Sequence, residues 1–137
     1  MHGTLRISEA AAIALHAMTF LAADPVRRHA VHEIAESLHV SEAHLAKVLQ
    51  RLMRVGLVSS VRGPGGGYTL ARARDEITLL DIVEAIEGPL DAIDCIMPVR
   101  TCTGGACILG DLLETINKRV REYLGGTNLD EKAGIYA

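Results

Sequence analysis

The segment RGPGGG, residues 62–67, limits the fold more than any other part of the 137-residue chain. A proline followed by three glycines is poorly suited to a helix or a strand interior, whereas such residues supply the backbone angles that tight turns need. The runs on either side, LVSSV and GYTLAR, are short and rich in Val, Tyr and Thr, as strands are. Together they predict a β-hairpin with a glycine tip. The same glycines could be taken for a phosphate-binding loop, but no Gly-Lys-Ser/Thr ending follows and no strand-to-helix junction surrounds them.

What precedes the hairpin is helical. In residues 7–22, Ile7, Ala11, Leu15, Met18 and Ala22 recur at spacings of three and four, the pattern of one helix face. Ser8 or Thr4 could cap this helix, and Asp24-Pro25 ends it. Residues 31–38 form a short second helix with Val31, Ile34, Ala35 and Leu38 on one face. After a brief turn, Ser41 is suited to cap a third helix, whose buried stripe is Leu45, Val48, Leu49 and Leu52 and whose stop is Gly56. Beyond the hairpin, Thr78 caps a fourth helix closed by Gly88-Pro89. Residues 107–124 read as a long helix with a broad apolar stripe of Ile108, Leu109, Leu112, Leu113, Ile116, Val120 and Leu124. Residues 125–137 read as a flexible tail.

A short helix, a tight turn, a second helix with basic residues and then a two-stranded ribbon is the order of a winged helix-turn-helix. The expected fold is mostly α with a small β-hairpin wing and a long C-terminal helix. Its expected units are a winged helix-turn-helix over 1–77, a connecting helix over 78–88, a cysteine loop over 89–106, a dimerisation helix over 107–124 and the tail. Nearly half the residues, 49%, are hydrophobic and only 3% are aromatic, so the core must be aliphatic. No run of about 18 apolar residues is present, which excludes a membrane-spanning helix. The first ten residues lack a basic-then-apolar signal pattern, and the expected location is the cytoplasm.

The net charge of −3 argues against a nucleic-acid partner until its distribution is considered. Residues 42–74 sum to +5 and the remainder to −8. A local basic patch attracts phosphates whatever the total charge, although it is also compatible with an ordinary solvated surface. The third helix leaves His44, Lys47, Gln50, Arg51 and Arg54 off its apolar stripe. Early positions of such a helix reach base edges and later basic ones meet phosphates. The glycine tip, Gly65 and Gly66 included, allows the backbone to approach DNA closely.

All three cysteines, Cys95, Cys102 and Cys107, lie within thirteen residues with the spacing C-x6-C-x4-C. An odd number does not make a disulfide framework. Soft thiolates on a loop containing Pro98, Gly104 and Gly105 suit an iron–sulfur cluster or zinc, and a redox thiol switch is the remaining alternative. Asp94 would raise a neighbouring thiol pKa and Arg100 would lower one. No acid–base pair, nucleophile constellation or cofactor fingerprint points to an enzyme.

On the motifs LQRLMRVGLV, VRGPGGGYTLAR and ITLLDIVEAIEGPL, followed by three cysteines before a long helix, the chain resembles the winged-helix regulators typified by IscR, NsrR and CymR. The resemblance extends to about residue 124. It implies a homodimeric, DNA-binding repressor of palindromic operators, with the last helix as the main dimer contact. It also implies a 2Fe–2S or 4Fe–4S cluster on the three cysteines that senses iron–sulfur, redox or nitric-oxide status. By resemblance, Ala43, His44 and Lys47 match base- and backbone-contacting positions, and Arg62 matches a wing arginine that enters the minor groove. Ala46 stands where IscR has a glutamate, which implies a different operator.

The cysteine spacing departs from the family's by one residue of register. Gly110 stands where IscR-like members place a histidine ligand, and Ala12 where NsrR-like members use an acid. His16, one turn further along the first helix, matches a ligand of some redox-sensing relatives and is the implied fourth ligand, supplied by the second subunit. Glu9, Asp94 and Asp111 are further candidates. His29, His32 and His39 are expected in solvent. Two other readings stay open: a cluster-free regulator responding to thiol oxidation or to a protein partner, and a winged-helix interaction module or cluster carrier without an operator.

Overall fold

The computed structural model describes residues 5–91 and 93–136. Its first helix, α1 (Glu9–Ala23), is the centre of the core. Every face but one touches another element, so the buried positions are small: Ala11, Ala14, Ala17 and Ala22 lie beside Met18 and Leu21, all fully buried. Alanine lets neighbouring backbones close on a helix that is packed nearly all round. The Ser8 hydroxyl accepts the Ala11 N–H at 3.1 Å, satisfying one of the donors a helix start leaves open. Thr4, the other cap considered, lies outside the described residues.

Next come α2 (Val31–Leu38) and α3 (Glu42–Arg54). They are joined through His39, which adopts the left-handed conformation at φ 56° and ψ 45°. The Val40 N–H reaches back to the Ala35 carbonyl at 3.1 Å, which closes α2 in the manner of a Schellman turn. Ser41 then caps α3 by accepting the His44 N–H at 3.1 Å. Leu45, Val48, Leu49 and Leu52 are buried as the stripe predicts, each contributing about 1.5–3 kcal/mol through its removal from water.

Strands β1 (Val58–Val61) and β2 (Gly67–Leu70) pair antiparallel, from Val58 opposite Leu70 to Val61 opposite Gly67. After a single 3-10 turn at Arg74–Glu76 comes α4 (Leu79–Glu87). It begins with a reciprocal cap, in which the Thr78 hydroxyl accepts the Asp81 N–H and the Asp81 carboxylate accepts the Thr78 N–H, both at 3.0 Å. Its far end is joined to α3 by a hydrogen bond from the Arg51 guanidinium to the Ile86 carbonyl.

Two expectations fail at the C-terminal end. The long helix α5 is Leu112–Gly126, starting five residues later than position 107. The cause is Gly110, whose φ of 60° turns the backbone left-handed and leaves residues 108–111 in turns. Past α5, the chain is not a loose tail. Asn128 caps α6 (Leu129–Lys132), a 3-10 turn follows at Ala133–Ile135, and this segment packs on α1. Leu129 is fully buried, its N–H bonds the Ile77 carbonyl at 3.0 Å, and Asp130 pairs with Arg74 at 2.7 Å. A single leucine after GGTN is too weak a pattern to show such docking in the sequence.

A β-carbon in the left-handed region crowds the following carbonyl. His39→Gly should therefore raise stability by up to about 1 kcal/mol, read from denaturant unfolding, with part of the gain offset by glycine's unfolded-state entropy. Arg51→Ala should cost about 1 kcal/mol through the orphaned Ile86 carbonyl, measured in the same way. If Arg51 instead met phosphate, its loss would appear in the salt dependence of DNA binding and not in the melt.

Candidate nucleic-acid interface and thiol site

Because α3 buries one stripe, its other face is presented outward. Ala43, Lys47, Gln50 and Arg54 are exposed and His44 is half-buried. Spacings of three and four place Ala43, Lys47, Gln50 and Arg54 on a common face. Among the described residues, none of Lys47, Arg54 and Arg62 enters an ion pair. Arg51 is exposed as well, at the edge of this face, and its Nη2 bonds the Ile86 carbonyl of α4.

The wing is held against the rest of the domain by a third segment. His29 exchanges two backbone hydrogen bonds with Tyr68 of β2, at 3.0 and 2.8 Å. At Gly67 a β-carbon would stand 2.6 Å from the His29 carbonyl oxygen, and φ is 144°, so only glycine fits this seam. At the tip, the Gly66 N–H bonds the Gly63 carbonyl at 2.9 Å, and the Gly65 carbonyl accepts from Arg28 at 3.4 Å. Arg62 is exposed beside them.

His29 is not in solvent. Its side chain is 2% exposed and packs edge-on against Phe20, with ring centroids 5.2 Å apart. Nε2 lies 3.1 Å from the Asp24 carbonyl, which can only accept, so Nε2 carries the proton and Nδ1 accepts from Arg27 at 3.0 Å. Arg27 also bonds both oxygens of Glu33. That guanidinium holds the Glu33 carboxyl below its ordinary value. The RRH run at 27–29 was the sequence signal for this corner, but it falls outside the basic stretch that begins at residue 42.

The three thiols border one cavity of about 140 Å³ together with Asp94, Arg100, Gly104 and Gly105. Cys95 is half-buried, Cys102 and Cys107 are exposed, and all three are free. Asp94 and Arg100 pair across the rim at 3.1 Å. Asn117 and Arg121 of α5 bind the loop's first part through the Ile93 carbonyl, at 2.9 Å, and the Leu90 carbonyl. The Cys107 sulfur accepts the Leu109 N–H at 3.4 Å. Among the described residues no three ligating groups converge closely enough to hold a metal.

His16 is exposed on α1 and its Nδ1 bonds the Ala12 carbonyl at 2.7 Å. It lines a different groove, of about 380 Å³, with Glu9, His39 and Tyr136. Of the candidate ligands beyond the cysteines, therefore, only Asp94 borders the thiol cavity of the same chain. The apolar stripe of α5 and its approach is largely uncovered: Ile108 is 87% exposed, and Leu112, Ile116 and Tyr123 are exposed as well, while Leu124 is buried.

Residues 7–133 match the model of the Rrf2 family, described as iron-dependent transcriptional regulators. A stretch of 96 residues is 40% identical to a Neisseria meningitidis protein named for a helix-turn-helix regulator, covering 70% of this chain and 65% of that one. The transcriptional regulator IscR of Xenorhabdus nematophila is 36% identical over 100 residues, which is 72% of this chain and 60% of IscR. This chain thus spans less than two thirds of the length of these curated relatives. Among solved structures, CymR, the global cysteine regulator of B. subtilis, superposes with a TM-score of 0.80 at 32% identity, covering 96% of this chain and 98% of CymR. The relatives are transcriptional regulators and not enzymes, and no helix among the described residues is long and apolar enough to cross a membrane. With its helix-turn-helix, its glycine-tipped wing and a family match over nearly its whole length, the chain belongs to the Rrf2 family of transcriptional regulators.

Proposed function

We propose that two copies of this chain form a cytoplasmic repressor whose grip on a palindromic operator is set by an iron–sulfur cluster on Cys95, Cys102 and Cys107. The observation that carries the reading is the single cavity bordered by all three free thiols, next to the start of α5. Soft thiolates at an accessible glycine-containing loop fit a 2Fe–2S or 4Fe–4S group, and they leave one ligand to be supplied. Asp94 can supply it within the chain, and His16 of a second copy can supply it across a dimer. Bound there, such a cluster would supply redox- and nitric-oxide-sensitive chemistry, with Cys95, Cys102 and Cys107 as the residues that hold it.

The rest of the mechanism belongs to the chain's own residues. The exposed stripe of α5 gives a second copy an apolar face to cover. Ala43, His44, Lys47 and Gln50 on the outer side of α3 enter the major groove, where base edges carry a distinct donor and acceptor code. Arg54 meets phosphate. Arg62, with the backbone of Gly65 and Gly66, brings the wing to the neighbouring minor groove. Two recognition helices bind together only when their spacing matches about one helical turn, roughly 34 Å. The thiol loop joins α4 to α5, so its order bears on that spacing.

A second reading has its own support, namely the full-length likeness to CymR. In it the exposed thiols respond directly to oxidation, or a protein partner controls the domain, and no cluster is held. Iron and acid-labile sulfide analysis separates the two.

Anaerobically purified protein should absorb in the visible, and Cys102→Ser should abolish that absorption; a colourless, iron-free protein with full operator control overturns the cluster. Arg62→Ala should weaken operator binding by about ten-fold or more while leaving the thermal melt unchanged. Unaltered binding at moderate salt would remove the wing from the interface.

A further inference from the structure

The basic residues of the α1–α2 connection have no part in the interface described so far. Arg27 is consumed internally, since its guanidinium faces Asp24 at 3.5 Å and bonds Glu33. Arg28, the next residue, is different. It is exposed, and no ion pair among the described residues includes it. Among the described residues its one hydrogen bond runs from Nη1 to the Gly65 carbonyl, 37 residues away at the wing tip.

That placement follows from the seam. His29 is bonded to Tyr68 through its backbone and turns its ring into the core. In extended chain, successive side chains point to opposite sides, so with His29 inward Arg28 is directed outward. The close approach of Gly67 to His29 fixes the wing beside this segment. A guanidinium has five N–H donors, and only one of them is used here. The remaining donors stand at the wing tip, on the same tip that carries Arg62.

We propose that Arg28 is a DNA-contacting residue that donates to a backbone phosphate beside the wing, so that the interface has a contributor from the α1–α2 connection. This inference rests on the DNA-binding reading of the wing. Arg28 would add affinity without reading sequence, because a phosphate contact releases counterions whatever the bases are. The bond to Gly65 pre-orients the guanidinium, and the acids of this corner, Asp24 and Glu33, face Arg27.

The test uses the full chain and a duplex selected from a randomised library by the unaltered protein, with a scrambled duplex of equal length beside it. Binding is measured from low to moderate salt. Arg28→Ala should lower the slope of log affinity against log salt by about one per subunit, roughly two for the bound dimer, and weaken the two duplexes by a similar factor. Arg28→Lys should keep the slope, since it keeps the charge. If both variants bind more weakly with an unchanged slope, Arg28 only clasps the wing and the proposal is overturned. Unchanged affinity and slope in Arg28→Ala overturn it too. Should the unaltered protein show no salt-dependent binding to any selected duplex, the DNA-binding reading itself falls, an outcome distinct from the failure of Arg28 alone.

Discussion

The backbone seam between His29 and Tyr68 is the constraint on which the geometry of the DNA-facing side depends. A two-stranded ribbon is marginal in water on its own, and a wing of two four-residue strands would be free to swing. Two hydrogen bonds to a residue whose side chain is locked in the core remove that freedom. The same residue sits at the entrance to α2. Wing and helix-turn-helix therefore share one anchor, and the relative position of Arg62 and α3 is a property of the core.

Much of this was legible in the sequence because local chemistry and tertiary role agree there. Ser41 and Thr78 are strong capping residues and cap the helices that follow them. The stripe Leu45, Val48, Leu49 and Leu52 has helical spacing and is buried. The glycine run is a hairpin tip. Residues 56–72 also carried enough specific sequence to point to a regulator family, and the family match over 7–133 agrees.

What was not legible depends on partners distant in sequence. Arg51 looks like an outward basic residue on a helical wheel, and its bond to Ile86 depends on where α4 ends. A polar ring such as that of His29 is by default expected outside, yet the Asp24 carbonyl and the Arg27 guanidinium satisfy it from within the 5 residues before it. Helical periodicity continued through Gly110, where one left-handed residue interrupts it. Cys95, Cys102 and Cys107 were gathered by spacing alone, whereas the question of a fourth ligand divides between Asp94 in their own cavity and His16 in another groove.

The start of α5 lies at Asp111, which offers no side-chain cap, one residue after that left-handed glycine. Its first turn is closed by backbone alone, the Thr115 N–H bonding the Asp111 carbonyl at 2.9 Å. Were Gly110 right-handed instead, each further residue would lengthen α5 by about 1.5 Å and turn the chain by roughly 100°, placing Cys107 elsewhere around the axis. The length of α5 and the position of the last thiol are thus a single coordinate of the chain.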